Sequence, residues 1–132
     1  MTISGKTILI VDDDAEFVAS LSRFLAANDF KVLTACSGVE GVRLARAVRP
    51  DLILIDVMLG EPAEGFCIIQ EIRGIRELRD TPIFVLSSLY SQIPEVGVTL
   101  DNCWLALDDF LPKPVEMYQL LERIHARVGV PQ

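Results

Sequence analysis

The chain alternates between short continuous apolar runs and longer segments in which apolar residues recur at helical spacing. The continuous runs are typical of strands that are buried on both faces of a sheet. They predict five strands, at 7–11, 30–35, 52–55, 83–86 and 110–111. The spaced stripes predict helices within 17–25, 39–45, 66–78 and 115–128.

Strand alternating with helix predicts a parallel sheet that is covered by helices on both sides. Right-handed crossovers leave few strand orders, and we expect a flavodoxin-like three-layer α/β/α sandwich, a (βα)5 fold with strand order 2-1-3-4-5. Pro112 supports this order, because it lacks the N–H of a central ladder and suits an edge strand. The 132 residues are 51% hydrophobic, which fits one domain over 1–132 with a core from about 6 to 128.

The net charge of −7 argues against direct binding of nucleic acid. No apolar run reaches the roughly 18 residues of a membrane span, and the start of the chain lacks the pattern of a secretory signal. We therefore expect a cytoplasmic protein that contacts neither membrane nor nucleic acid.

Arginines recur at intervals of three in two stretches, and we interpret these stretches as solvated helix faces. They are Arg43, Arg46 and Arg49, and Arg73, Arg76 and Arg79.

Cysteine and histidine give no sign of a metal centre. Cys36, Cys67 and Cys103 are far apart in sequence, so neither a disulfide framework nor a zinc site is indicated, and we expect them to be buried. His125 lies among apolar residues of the last predicted helix, with no second histidine or cysteine close by in sequence. We expect it to have a structural role.

Polar side chains follow four of the five predicted strands. Asp12, Asp13 and Asp14 follow the first strand, Asp56 follows the third, Ser87 ends the fourth, and Lys113 follows the fifth. In a parallel sheet these carboxyl ends meet at one edge, where ligands bind. Turns favour Asp and Ser, which accounts for one or two such residues but not for matching chemistry on four strands.

Carboxylates that lie so close together repel one another. The repulsion is roughly 3 kcal/mol per pair at about 5 Å and an effective dielectric constant near 20. A divalent cation relieves this repulsion, and an all-oxygen ligand set favours Mg²⁺ or Mn²⁺. A carboxylate beside such an ion is a competent nucleophile toward phosphorus and forms an aspartyl phosphate. The Lys113 ammonium and the Ser87 hydroxyl then suit the phosphoryl oxygens.

Four motifs make the chain resemble the receiver (REC) domain of two-component response regulators over about 6–128: LIVDDD (9–14), PDLILID (50–56), TPIFVLSS (81–88) and DFLPKP (109–114). The resemblance implies that Asp56 is phosphorylated by a sensor histidine kinase or a phosphotransfer protein. It implies a signalling domain that assists its own phosphoryl transfer, not an enzyme, and that switches conformation to control a partner or output domain.

The resemblance also implies a metal site. Asp13, Asp56 and the backbone carbonyl of Met58 would hold magnesium, and Asp12 would act through water. Gly60 stands where the family usually has proline, and the loop that contains it is about one residue longer than in the family. The ligands are unaffected by this departure, but the geometry of the loop stays open.

The conformational switch is implied in the same way. Ser87 would move toward the phosphoryl group and Phe110 would follow it inward. The bond from Lys113 to Pro114 would be cis.

Asp14 precedes the first predicted helix. We expect it to cap that helix, because aspartate accepts hydrogen bonds from the free N–H groups at a helix N-terminus.

Segment 89–107 departs from the family. Pro94 and Gly97 disfavour a continuous helix there. We expect a loop through about Thr99 and a short helix over 101–107. The resemblance implies that this segment forms part of the dimer face of the family, which is made by the fourth helix, the fifth strand and the fifth helix. We therefore expect that dimer to be weak or absent.

Two other functions stay open. A pseudo-receiver would signal without phosphorylation, but such domains usually lose an acidic residue or the lysine, and this chain keeps them all. A haloacid-dehalogenase-like phosphatase also uses an aspartate after its first strand. Glu16 does not match the Thr or Val of that pattern, and 132 residues leave no room for its cap domain.

Overall fold

The computed structural model describes residues 6–56, 62–87, 109–112 and 115–129. They form a parallel sheet in the order β2-β1-β3-β4-β5. The strands are β1 (Thr7–Val11), β2 (Lys31–Ala35), β3 (Leu52–Ile55), β4 (Ile83–Ser87) and β5 (Asp109–Pro112). The helices are α1 (Ala15–Ala27), α2 (Gly38–Val48), α3 (Pro62–Arg73) and a last helix (Met117–Val128). The predicted order is confirmed, with the strand of Pro112 at an edge.

Alternate residues of each central strand face two separate cores. Leu9 and Val11 of β1 pack with α2 and α3 on one side of the sheet. Ile8 and Ile10 pack with α1 and the last helix on the other side. All four residues of β3 are fully buried, so this strand has no solvent-facing side. This double burial is why the strands appear in the sequence as continuous apolar runs.

Side chains fix where the first two helices begin. Asp14 accepts a hydrogen bond from the Phe17 N–H at 3.2 Å, which confirms the predicted cap of α1. At α2, Ser37 accepts from the Glu40 N–H at 3.2 Å, and the Glu40 carboxylate accepts from the Cys36 N–H at 3.1 Å. This reciprocal pairing resembles a capping box.

Asp51 ties β3 to the start of β1. Its carboxylate accepts a hydrogen bond from the Thr7 N–H at 2.8 Å, and its own N–H donates to the Thr7 carbonyl at 2.8 Å. The preceding Pro50 follows α2, which ends at Val48 and is capped by Arg49 in a left-handed conformation. Pro50 therefore marks the end of α2, and the two hydrogen bonds of Asp51 join the start of β3 to the start of β1.

The third predicted helix, 66–78, is wrong at both ends. The helix runs from Pro62 to Arg73 and is followed by a separate 3-10 turn over Arg76–Leu78. Gly74, a poor helix former, marks the break. Arg73 lies at the break, and its Nη1 donates to the carbonyls of Leu78 at 3.1 Å, Arg79 at 3.2 Å and Thr81 at 2.6 Å. Arg73 therefore stabilises the turn through these hydrogen bonds and is not part of a solvated helix face.

The expectation of buried cysteines is wrong for two of the three. Cys36 and Cys67 are exposed, and Cys103 lies outside the described residues. The His125 ring stacks on Phe30 with centroids 5.9 Å apart, a contact that fits a structural role. Within the ranges described, no helix is long and apolar enough to cross a membrane.

We expect Gly41→Ala to lower the free energy of unfolding by about 1–2 kcal/mol in urea denaturation. An added Cβ would lie 2.8 Å from Val11 Cγ2 and 2.9 Å from Val11 Cγ1. Val11 is fully buried and β-branched, so it cannot yield easily, and overpacking outweighs the better helix propensity of alanine. Gly74→Ala is the control, because its nearest contact would be 3.4 Å. Equal midpoints for Gly41→Ala and wild type would contradict this account.

Candidate functional site

Backbone hydrogen bonds carry the sheet ladder one residue beyond β1 and β3. The Asp12 N–H donates to the Ala35 carbonyl at 3.0 Å, and the Asp56 N–H donates to the Val11 carbonyl at 3.0 Å. The two aspartates therefore leave the same edge of the sheet on neighbouring strands. Both are buried, with 2% and 6% of their surface exposed, respectively.

Three of the sequence-predicted site residues form one cluster. Asp12, Asp13 and Asp56 each offer a carboxylate oxygen, and these three oxygens lie within 4.8 Å of one another. Asp13 is exposed, so the cluster opens to solvent on one side. At this separation a charged pair repels by about 3 kcal/mol for an effective dielectric constant near 20, and by less where solvent screens Asp13.

The chemistry of these donors fits a hard divalent cation. All three ligand groups are carboxylates, and oxygen ligands suit Mg²⁺ and Mn²⁺ better than metals that favour thiolate or imidazole. An ion bound there would replace the mutual repulsion by attraction. The described residues of this cluster can therefore hold the cation that the sequence predicted.

Sequence reasoning missed one contact within the site. The backbone N–H of Asp14 donates to Asp12 Oδ1 at 2.9 Å. Asp14 is thus more than a helix cap, because it also contacts a carboxylate of the cluster. The available signal was the spacing of two residues, since an aspartate side chain often accepts from the N–H two positions later.

The other predicted site residues are only partly covered. Ser87 ends β4 two residues beyond Val85, which pairs with Ile55 of β3, so β4 delivers Ser87 to the edge where Asp56 lies. Phe110 lies in β5, where its backbone pairs with that of Val85. The predictions for Met58, Lys113, Pro114 and segment 89–107 concern positions outside the described residues.

Comparison with known proteins agrees with this geometry. The family model of the response regulator receiver domain matches residues 8–125. That span includes β1 from Ile8 onward, β2 through β5, and all three clustered aspartates. The chain belongs to the response regulator receiver domain family.

Solved structures and a curated relative extend the match. A CheY-like response regulator receiver domain protein from Methanospirillum hungatei JF-1 has a TM-score of 0.82 and 27% identity, covering 95% of this chain and 94% of that one. The receiver domain of the sensor histidine kinase PA1611 from Pseudomonas aeruginosa PAO1, with a magnesium ion in its active site cleft, has a TM-score of 0.80 and 28% identity, covering 96% and 99%. The transcriptional regulatory protein PrrA of Mycobacterium leprae is 33% identical over 124 residues, 94% of this chain and 50% of PrrA. The chain thus spans about half the length of the curated relatives it matches.

We expect Asp56→Asn to raise the free energy of unfolding by about 1–3 kcal/mol in metal-free buffer, because it removes the repulsion of Asp56 by two neighbouring carboxylates. Saturating Mg²⁺ should shrink this gain, since the ion relieves the same repulsion in the wild type. Chemical denaturation with EDTA and with Mg²⁺ measures both effects.

Asp51→Asn is the matched control for that experiment. Asp51 also lies beside the central strands, but its carboxylate accepts a hydrogen bond from the Thr7 N–H. Its replacement should give no gain in stability with or without Mg²⁺. A stabilisation of equal size in the two variants would show that the cluster is not the cause.

Proposed function

We propose that this chain is a phospho-accepting receiver domain in which the Asp56 carboxylate attacks phosphorus and becomes an aspartyl phosphate. The observation that carries the proposal is the carboxylate cluster in which Asp56 lies within 4.8 Å of Asp12 and Asp13. Membership of the receiver domain family supports it. A sensor histidine kinase or a phosphotransfer protein is the proposed source of the phosphoryl group.

The proposed ion is Mg²⁺, with Mn²⁺ as a substitute, held by Asp13, Asp56 and the Met58 carbonyl and by Asp12 through water. When bound, it would neutralise negative charge on the transferring phosphoryl group. The magnesium ion in the active site cleft of the PA1611 receiver domain supports this choice of metal. Burial of Asp12 and Asp56 supports it too, because low local solvation strengthens their attraction for a cation.

Two further side chains complete the proposed acceptor site. The Lys113 ammonium would bind a phosphoryl oxygen, and the Ser87 hydroxyl would bind another. The position of Ser87 at the carboxyl end of β4, next to the edge that carries Asp56, supports its role. Movement of Ser87 toward the phosphoryl group, followed by Phe110, is the proposed switch, and Pro114 follows Lys113 in a cis bond.

The output of the switch is proposed to lie outside 1–132. This range is taken as one cytoplasmic receiver domain with a core from about 6 to 128. The curated relatives are about twice as long as the matched region, which supports control of an output domain or a separate effector. Nucleic acid and membrane are not proposed as partners of these residues, and the usual dimer of the family is proposed to be weak.

Acetyl phosphate with Mg²⁺ tests the chemistry directly. Intact-mass spectrometry should show one added phosphoryl group that is stable in acid and labile in base. Asp56→Asn should show none, because it lacks the nucleophile, whereas Asp51→Asn should be labelled like the wild type.

The outcomes separate this function from its rivals. An unchanged mass for the wild type, or full labelling of Asp56→Asn, would overturn the assignment of Asp56. Partner binding without any labelling would instead indicate a pseudo-receiver. Steady release of phosphate from a phosphate monoester, lost in Asp12→Asn, would indicate the haloacid-dehalogenase-like phosphatase.

A further inference from the structure

Asp14 joins helix α1 to the acidic cluster through three hydrogen bonds. Its N–H donates to Asp12 Oδ1 at 2.9 Å. Its side chain accepts from the Phe17 N–H at 3.2 Å, and its carbonyl accepts from the Val18 N–H at 2.9 Å. One residue therefore contacts both a carboxylate of the cluster and the first turn of the helix.

The position of this residue is set by packing at some distance from the cluster. Leu21 and Leu25 of α1 are fully buried in the core on that side of the sheet. The first turn of α1 then holds Asp14 through its side chain and its carbonyl. The direction of the Asp14 N–H is thus fixed by a packed helix and not by a free loop.

We propose that Asp14 is a positioning residue for the metal site, acting through its backbone N–H. The bond to Oδ1 restrains the rotation of the Asp12 carboxylate, and with it the direction in which Asp12 presents its oxygens to the cluster. This inference rests on the proposed function, because it assumes that the cluster binds Mg²⁺. It assigns Asp14 a task separate from capping α1.

Orientation of this kind has a measurable effect on a metal site. Groups that hydrogen-bond to metal-binding side chains typically contribute 10–100-fold to metal affinity. Asp12 is 2% exposed, so bulk solvent, as distinct from a water bound to the ion, has little access to replace a lost N–H donor. Loss of the Asp14 N–H should therefore weaken Mg²⁺ binding by about 10-fold.

A pair of substitutions separates the N–H from the cap. Asp14→Ala and Asp14→Pro both lose the capping side chain and its charge, but only the proline variant loses the N–H. The φ of −86° at Asp14 is near the range of proline. Titration of amide chemical shifts with Mg²⁺ should give a Kd about 10-fold higher for Asp14→Pro than for Asp14→Ala.

A second variant guards against misfolding of the proline variant. The α-hydroxy analogue of aspartate at position 14 turns the amide into an ester, so the N–H is lost while the capping carboxylate and its charge remain. Its Kd for Mg²⁺ should be about 10-fold higher than that of the wild type. Thermal unfolding of each variant shows that the titrated protein is folded.

The results distinguish this inference from the proposed function. A wild type that shows no saturable Mg²⁺ shifts at the cluster would overturn the metal site itself. Normal Mg²⁺ binding by the wild type, with a Kd for the ester variant equal to or below it, would overturn the role of Asp14 alone. Weakened binding in Asp14→Ala as severe as in Asp14→Pro would assign the effect to the cap.

Discussion

The register of the parallel ladder is the constraint on which the acidic cluster depends. Val11 pairs with both Ala35 and Ile55, so the residues that follow β1 and β3 emerge side by side. Backbone bonds from the N–H groups of Asp12 and Asp56 extend the ladder past the last apolar residue. A slip of one residue in the pairing of β3 would turn the Asp56 side chain to the other face of the sheet. Main-chain pairing therefore decides which side chains meet at this edge of the sheet.

The burial of β3 helps to offset the repulsion among three carboxylates whose oxygens lie within 4.8 Å of one another. Its four residues are fully buried, and burial of each such side chain contributes about 1.5–3 kcal/mol. Repulsion within the cluster is about 3 kcal/mol per pair and is screened where Asp13 meets solvent. Burial of β3 is therefore of the same order as the repulsion within the cluster, and it offsets much of that repulsion. Functional sites commonly retain such local costs because activity needs them.

The strand order and the clustering of Asp12, Asp13 and Asp56 could both be predicted from the sequence. Both follow from the alternation of strand and helix along the chain and from the geometry of parallel strands. The end of α3 was not predictable in the same way. Apolar residues keep helical spacing through Ile75, beyond the break, and Gly74 was the local sign that could have marked it. The hydrogen bonds from Arg73 to the carbonyls of the turn require the chain to have turned already, so the periodicity of apolar residues does not reveal them. The Asp14 contact was missed for a similar reason, since it depends on backbone direction.

The polarity of the fold also favours carboxylates at this edge. Because each helix follows its strand along the chain, it begins near the carboxyl end of that strand. The described N-termini there are capped by Asp14, Ser37 and Glu116. A helix N-terminus carries about half a positive elementary charge, and each nearby anion gains about 0.3–1 kcal/mol from it. The same three aspartates at the opposite edge would meet helix C-termini, whose partial charge is negative. Repulsion at the actual site is therefore partly offset by the direction in which the helices run.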